Sequence, residues 1–196
     1  HAIPLAAEQR FRPVETPPGA KPYFLFVGTL EPRKQIHSLV EAWRPVYAAT
    51  GIPLKIAGRL REDFVPPPME AGLEYLGAVL DASLPSLYSG ALAVVYPSEY
   101  EGFGLPVLEA MQCGVPVVVG NAPALRELAA DDGVVVDPRQ GDSLREALRR
   151  FATEPDFRSE WAARGLRRAA AFSWHTVAQS TREVYREAVK RFERSA

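Results

Sequence analysis

Two glutamates, Glu101 and Glu109, are separated by seven residues that include two glycines. A proline at the start of the following apolar segment and Gly114 after its end predict a short helix with Pro106 in its first turn. The N-terminus of such a helix offers unpaired backbone N–H groups and a positive dipole end, which together bind phosphate. Ionised carboxylates accept hydrogen bonds from sugar hydroxyls. A phosphate group between two sugar-binding acids indicates a nucleotide sugar as the ligand.

A basic turn, Gly28-Thr-Leu-Glu-Pro-Arg-Lys34, follows the first predicted strand and offers cations for such a phosphate. Arginine provides a two-pronged donor and lysine a compact point charge, and both suit phosphate. Taken alone, Arg33 and Lys34 are typical of a solvated surface pair, and Glu109 could simply favour the helix dipole. The glycine loop after Tyr96 is expected at the same sheet edge, and this coincidence favours a shared phosphate site.

A divalent metal ion is the alternative means of neutralising a diphosphate. Glu99 and Glu101 have the one-residue spacing typical of metal-dependent sugar transfer, and Asp131 and Asp132 are adjacent. The glutamate pair, however, precedes a glycine loop rather than presenting two free acids to a nucleotide. We therefore expect fixed cations and backbone donors to bind the diphosphate, and we expect no metal cofactor.

Short apolar runs alternate with amphipathic segments along the chain, which predicts a parallel sheet with helices on both faces. The predicted strands are 23–27, 54–57, 73–76, 91–96, 115–119 and 133–136. Besides the helix after the glycine loop, the predicted helices are 36–49, 84–88, 125–129, 142–153, 155–171 and 174–193. The expected fold is α/β and Rossmann-like, with a mostly parallel six-stranded sheet. Such sheets bind ligands beyond the carboxyl ends of their strands, where both glycine-containing loops are expected.

The bulk composition is that of a globular domain, with 196 residues, 47% hydrophobic and 24% charged, and a formal net charge of −1. A near-neutral charge argues against nucleic acid as the main partner. Residues 145–196 carry 12 Arg and Lys against 7 Asp and Glu. We interpret this excess as solvated helix faces, with contact to an acidic membrane or to a partner domain as the alternative.

The single cysteine, Cys113, excludes an internal disulfide and is interpreted as a core residue. A reducing cytoplasm is therefore the expected compartment, with peripheral membrane contact as an addition to it. No apolar run approaches the roughly 20 residues of a membrane span. Residues 1–21 contain four prolines and no sustained period, and they are predicted to be a linker. Because the chain starts at His1 inside this segment, we expect it to be part of a longer protein.

The segment Phe103-Gly-Leu-Pro-Val-Leu-Glu-Ala-Met111, followed by Gly114-Val-Pro-Val117, resembles the signature of the large retaining glycosyltransferase family with the GT-B fold. That family includes glycogen and sucrose-phosphate synthases and many bacterial mannosyl- and glucosyltransferases that serve polysaccharide biosynthesis. The resemblance covers nearly the whole chain. Its further matches are Phe26-Val-Gly-Thr-Leu-Glu-Pro-Arg-Lys34, Leu87-Tyr88, Val136-Asp-Pro138 and Phe172-Ser-Trp174.

The resemblance implies a role for each motif residue. Glu109 resembles the acid that accepts the ribose hydroxyls of the donor, and Glu101 resembles the acid that holds the transferred sugar. Lys34 resembles the lysine that neutralises the diphosphate, with Arg33 as a second cation. Backbone N–H groups of the glycine loop would face the sugar and the phosphate, namely those of Gly102, Phe103, Gly104 and Leu105. The other donor-binding residues are expected in the first loop, at Gly28 and Thr29, and around the base, at Arg59 and the turn Gly77-Ala-Val79.

Two positions depart from the family pattern. Thr29 stands where many relatives have arginine, and we expect Arg33 to supply that charge. Leu92 stands where many relatives have aspartate, so a polar role there is absent.

Enzymes of this family have two Rossmann-like domains, and the N-terminal one holds the acceptor site and a histidine of the catalytic region. The chain resembles the C-terminal half, with residues 1–21 as an interdomain linker and 22–173 as the nucleotide-sugar-binding domain. The helix within 174–196 is expected to cross toward the N-terminal domain, which is the expected protein partner. None of the three histidines is expected to replace the catalytic-region histidine: His1, His37 and His175.

The expected function is donor binding in a retaining glycosyltransferase that moves a hexose from a nucleotide sugar, with GDP-mannose or a UDP-hexose favoured. The resemblance implies attack on the face of the departing group, with the leaving phosphate helping to deprotonate the acceptor. We expect little or no turnover without the partner domain. The alternatives are a non-catalytic module that binds nucleotide sugars or other proteins, and a sugar-nucleotide epimerase with a GT-B-like fold.

Overall fold

The computed structural model describes residues 1–195 and contains one six-stranded sheet. All its pairings are parallel, and the strand order is 3-2-1-4-5-6. The prediction of a Rossmann-like α/β fold with six strands is therefore confirmed. The strands are β1 Tyr23–Val27, β2 Leu54–Ala57, β3 Leu73–Gly77, β4 Ala91–Tyr96, β5 Val117–Gly120 and β6 Val134–Val136.

Seven helices and two 3₁₀ turns connect and cover these strands within the described part of the chain. The helices are α1 Ile36–Thr50, α2 Leu84–Ser89, α3 Leu105–Gln112, α4 Pro123–Ala129, α5 Gly141–Thr153, α6 Pro155–Ala169 and α7 Trp174–Ser195, and the 3₁₀ turns are Pro32–Lys34 and Asp81–Ser83. Helix α1 packs against α5, and α3 packs against α2 and α6. The crossover from β1 to β2 through α1 and the crossover from β4 to β5 through α3 run in opposite directions across the sheet. Because parallel crossovers are right-handed, α1 and α5 cover one face of the sheet, and α2, α3 and α6 cover the other.

The central strands are buried on both faces, which explains why they are continuous apolar runs rather than alternating ones. In β1, Phe24, Leu25 and Phe26 are fully buried. Trp43 of α1 is also fully buried, and its indole N–H donates to the Ile52 carbonyl at 2.9 Å. The core thus fixes the positions of the β1 and β4 ends.

Strands β1 and β4 are neighbours in the sheet, with Leu25 opposite Val94. From β1 the chain proceeds to β2 on one side, and from β4 it proceeds to β5 on the other. The connections that follow β1 and β4 therefore run in opposite directions, which places a topological switch point at the carboxyl edge between these two strands. Ligands of open α/β sheets bind at such a switch point.

The fifth strand begins two residues later than the sequence pattern predicts. The N–H groups of Gly114 and Val115 donate to the carbonyls of Met111 and Ala110, so they close α3 instead of joining the sheet. Pro116 has no N–H, and only its carbonyl takes part in the ladder, by accepting from Val94. The first bonded positions therefore lie beyond this proline.

Residues 1–21 contain no helix or strand, yet they are packed against the domain. Ala6, Ala7 and Phe11 are buried, and the Val14 N–H donates to Ser89 Oγ at 3.0 Å. The segment is thus part of the core boundary, and its role as a link to a preceding domain stays a prediction. Within residues 1–195, no helix is long and apolar enough to cross a membrane.

Candidate functional site

The carboxyl ends of β1 and β4 bring a lysine, an arginine, a glutamate and a tyrosine together. Lys34 Nζ donates to Glu101 Oε1 and to the Tyr96 hydroxyl, each at 2.5 Å. Arg33 Nη1 lies 3.0 Å from the same Glu101 oxygen. The N–H of Glu99 donates to the Arg33 carbonyl at 2.9 Å, so a backbone bond joins the two loops. The predicted residues Arg33, Lys34 and Glu101 therefore form one cluster.

Lys34 is buried and the Glu101 side chain is largely buried, with side-chain exposures of 5% for Lys34 and 9% for Glu101. Burial lowers the pKa of Lys34, and the adjacent Glu101 carboxylate offsets this only in part. Burial by itself would raise the pKa of Glu101, but the hydrogen bond and charge of Lys34, together with contributions from Ser98 and Arg33, outweigh it and hold that pKa below its ordinary value. Glu101 is therefore ionised at neutral pH. The interpretation of a solvated surface pair is wrong for Lys34, whereas the Arg33 side chain stays 38% exposed.

The glycine loop leads directly into the N-terminus of α3. Gly104 precedes the helix in the left-handed region at φ 100°, and a Cβ added there would lie 2.6 Å from Leu125 Cδ2. Leu105 begins the helix, and no side chain caps it. Gly102 is exposed with open space beside it, and Phe103 is half-buried against the core. The amide groups at this helix start thus lack a side-chain acceptor, which is the condition for anion binding.

Glu109 lies one turn further along α3 and has a different environment from Glu101. The Tyr88 hydroxyl of α2 donates to its Oε2 at 2.8 Å. Burial raises the pKa of Glu109, and the Tyr88 hydrogen bond and the charge of Arg10 offset this only in part. Among the described residues, no Lys, Arg or His lies within ion-pair distance of it. A half-buried carboxylate held in this way suits the recognition of hydroxyl donors.

The first loop approaches the loop after β2 very closely. The Gly28 N–H donates to the Ala57 carbonyl at 2.9 Å, and a Cβ added at Gly58 would lie 1.8 Å from the Gly28 carbonyl oxygen. Only a residue without a side chain allows this approach. Thr29 is exposed at the start of the turn.

An open cleft lies beyond the ends of β2 and β3, where the base was expected. Arg59 and Gly77 line it, together with the apolar surface of Leu30 and the ring of Tyr75. Val79 is half-buried against the core and does not line this cleft. The structure therefore brings Arg59 to the expected place and leaves Val79 outside it.

Two residues of the site were not predicted from the sequence. Tyr96 ends β4, its ring stacks on Phe26 at 5.5 Å, and its hydroxyl accepts from Lys34. The tyrosine hydroxyl at the end of an otherwise apolar strand was the feature of the sequence that could have indicated this role. Glu31 lies in the basic turn with its carboxylate between Arg33 and Arg61. An acid two residues before an Arg-Lys pair, with Pro32 between them, was the signal there.

The two glutamates considered for metal binding contact cations in the structure. Glu99 pairs with Arg139 at 2.8 Å, while Glu101 is bound to cations. Within residues 1–195, no group of three or more His, Cys, Asp or Glu side chains is arranged to hold a metal ion.

Burial raises the pKa of the Cys113 thiol to about 11, in line with its interpretation as a core residue.

The histidines lie outside the cluster. His37 Nε2 is 2.9 Å from the Val65 carbonyl, His1 Nε2 is 2.9 Å from Glu187, and His175 is exposed. None of them contacts Lys34 or Glu101.

Comparison with known proteins identifies the family. Residues 7–168 match the sequence profile described as glycosyl transferases group 1. The O-antigen chain mannosyltransferase B of Escherichia coli is 40% identical over 173 residues, which cover 84% of this chain and 45% of that protein. The D-inositol 3-phosphate glycosyltransferase of Kineococcus radiotolerans is 32% identical over 196 residues, covering 85% and 44%. The chain thus spans about half the length of these curated relatives.

The solved structures agree with this assignment. The sucrose-phosphate synthase of Thermosynechococcus elongatus superposes with a TM-score of 0.80 at 26% identity, over 96% of this chain and 52% of that one. The C-terminal domain of a glycosyl transferase group 1 family protein from Francisella tularensis has the same fold, with a TM-score of 0.71 at 22% identity, over 83% and 95%. On the profile match and the mannosyltransferase similarity, the chain belongs to the glycosyl transferases of group 1.

Proposed function

We propose that the chain is the donor-binding domain of a retaining glycosyltransferase that takes a hexose from a nucleotide sugar. The observation that carries this proposal is the convergence of Lys34 and Arg33 on Glu101 at the start of the glycine loop. Fixed cations, an uncapped helix N-terminus and a carboxylate thus occur together at the switch point of the sheet. Each of these groups suits one part of a sugar diphosphate.

The diphosphate would lie between the basic turn and the start of α3. Lys34 and Arg33 balance its charge, and the first amide groups of the helix donate to its oxygens. When the bond to the sugar breaks, further negative charge develops on the leaving oxygen, and preorganised donors stabilise it there. Since these groups supply positive charge, we propose that the reaction proceeds without a metal ion.

The sugar and the ribose would each contact one of the two glutamates. Both cations contact Glu101 through Oε1, and we assign to Oε2 the hydrogen bond from a hydroxyl of the transferred sugar. Glu109 accepts from the ribose hydroxyls while Tyr88 fixes its orientation. The base then reaches the cleft beside Arg59. The acceptor attacks the sugar on the face of the departing diphosphate, whose oxygen takes the acceptor proton.

The names of related proteins support a hexose donor. A mannosyltransferase is 40% identical to the chain. HepE from Anabaena, whose structure is similar to that of this chain, is described in complex with UDP-glucose. We therefore propose GDP-mannose or a UDP-hexose as the donor. The relatives are about twice as long as this chain, so the acceptor site is assigned to a preceding domain that docks near α7.

Isothermal titration of the 196-residue chain with UDP, GDP and ADP tests this proposal. One of the nucleotides is expected to bind, and Glu109→Gln is expected to weaken it by about 1.5–3 kcal/mol, because the ribose loses a charged acceptor. Glu41→Gln, a change at an exposed acid of α1, is the matched control and should leave the affinity unchanged. Failure of all three nucleotides to bind a folded sample would contradict the proposal.

A further inference from the structure

Glu31 is a buried acid that joins two loops of the site. Only 9% of the residue is exposed. Its Oε1 lies 2.6 Å from Arg33 Nη2, and its Oε2 lies 3.0 Å from Arg61 Nη1. Arg33 follows β1 and Arg61 follows β2, so each carboxylate oxygen holds a cation from a different loop.

The 3₁₀ turn determines where this carboxylate lies. Glu31 is the extended residue before the turn, and its carbonyl accepts from the Lys34 N–H at 3.0 Å. The same short stretch therefore positions Glu31, Arg33 and Lys34 relative to one another. A carboxylate taken out of water costs free energy unless it is paired, and here both of its oxygens are paired.

Arg33 lies between two carboxylates as a result. Its Nη2 contacts Glu31 and its Nη1 contacts Glu101 and the Tyr100 carbonyl, the last at 2.6 Å. Anchors on both terminal nitrogens restrict the guanidinium to one orientation, although the side chain is 38% exposed. A long, partly exposed arginine without the Glu31 anchor would have more rotamers to lose when it binds an anion.

We propose that Glu31 is a positioning residue of the donor site, which holds Arg33 in the orientation that receives the diphosphate. This inference rests on the proposed function. It also makes a prediction that opposes simple electrostatics. A negative charge near an anion site should weaken anion binding by direct repulsion, so its removal should strengthen binding. A residue that acts by orienting Arg33 has the opposite effect when it is removed.

Inorganic pyrophosphate is the appropriate probe, because it tests the diphosphate position without depending on the base or the sugar. Calorimetry of the 196-residue chain is expected to show Glu31→Gln binding pyrophosphate about two- to tenfold more weakly, the scale of immobilising one side chain. Arg33→Lys should give a similar loss, because lysine keeps the charge but cannot bridge two carboxylates. This second variant keeps the test decisive if Glu31→Gln fails to fold. Glu41→Gln, the same substitution at an exposed acid of α1, is the control and should bind as the wild type does.

A double-mutant cycle separates positioning from a general structural role. In an Arg33→Ala background, Glu31→Gln should have no further effect on pyrophosphate affinity. Unchanged or tighter binding by Glu31→Gln in the wild-type background overturns the inference, as does an equal loss in the Arg33→Ala background. If the wild-type chain binds neither pyrophosphate nor any nucleotide, the proposed function fails and this inference fails with it. Normal wild-type binding with no effect of Glu31→Gln removes the inference alone.

Discussion

The buried ion pair between Lys34 and Glu101 can be tested by replacing each partner separately. Lys34 Nζ is 2.5 Å from Glu101 Oε1, and Arg33 Nη1 is 3.0 Å from the same oxygen. The two partners are therefore not equivalent. Glu101 has two cations, whereas among the described residues Lys34 Nζ contacts one carboxylate, that of Glu101, and the hydroxyl and ring of Tyr96.

The structure predicts unequal losses of stability for the two single variants. Glu101→Gln leaves a buried ammonium without a counter-ion, which costs about 3–5 kcal/mol. Lys34→Met leaves Glu101 with Arg33, so the loss is that of one charged hydrogen bond, about 1.5–3 kcal/mol. Because domains of this kind are stable by about 5–15 kcal/mol, both changes are measurable. The double variant removes both charges and should lose less than the sum of the single losses, by about 0.5–3 kcal/mol.

The pH dependence gives a second and independent check. Burial lowers the pKa of Lys34, and Glu101→Gln removes the charge that partly offsets it. Between that lowered pKa and the unfolded value of about 10.4, the folded variant binds fewer protons than the unfolded chain. Its stability should therefore rise as the pH rises toward about 10.4. Lys34→Met has no such group and should not show this rise.

Urea unfolding followed by tryptophan fluorescence measures these quantities, with the fully buried Trp43 as a reporter. The wild type should lose stability in acid, because the pKa of Glu101 is lower in the folded chain than in the unfolded one. The stabilisation by ionised Glu101 is fully present above the unfolded pKa of about 4.3. It is lost as the pH falls through the folded pKa. A larger loss for Lys34→Met than for Glu101→Gln would refute the assignment of unequal partners. Strictly additive losses in the double variant would refute the ion pair itself.

Three further predictions concern single positions. Glu109 has a raised pKa, so the folded chain binds more protons than the unfolded one above about 4.3, and stability falls as the pH rises through that window. Glu109→Gln should remove this fall while keeping an acceptor for Tyr88, and urea unfolding at pH 4 to 7 checks it. Gly58→Ala would place a Cβ 1.8 Å from the Gly28 carbonyl oxygen and should cost about 3 kcal/mol or more; a loss below 1 kcal/mol in urea unfolding would contradict the close approach. Ala130 has φ 48°, and Ala130→Gly should stabilise by about 1 kcal/mol, visible as a raised Tm, whereas a lowered Tm would argue against strain there.

The order of the elements could be predicted from the sequence because the strands are buried on both faces. A run such as Tyr23–Val27, bounded by glycine, has few alternatives once helices alternate with it. Boundaries were predicted less well where a proline decides them. Pro116 moves the start of β5, because the residues before it donate back to the helix and the proline itself cannot donate.

The cluster was predicted as a set of residue types, but its internal bonding was not. Lys34 and Glu101 are 67 residues apart in sequence, with β2, β3 and β4 between them, and only the parallel order that places β1 beside β4 brings them into contact. The role of Tyr96 depends on which way the last residue of a strand points. Side chains alternate between the two faces of a strand, and because both faces of β4 are buried, the apolar run does not show which face Tyr96 occupies. The burial of Glu31 likewise depends on Arg61, a residue from another loop.

The packing of the first residues has a consequence for how the domain is produced. The Phe11 ring meets the edge of Tyr88 at 5.9 Å, and Tyr88 in turn holds Glu109. A fragment expressed from Tyr23 onward, where regular secondary structure starts, would lack Phe11. Water would then reach the Tyr88 ring. Glu109 would then lose the rigid support of Tyr88 although no residue of the sheet had been removed. Expressed versions of this domain should accordingly retain the proline-rich residues 1–21.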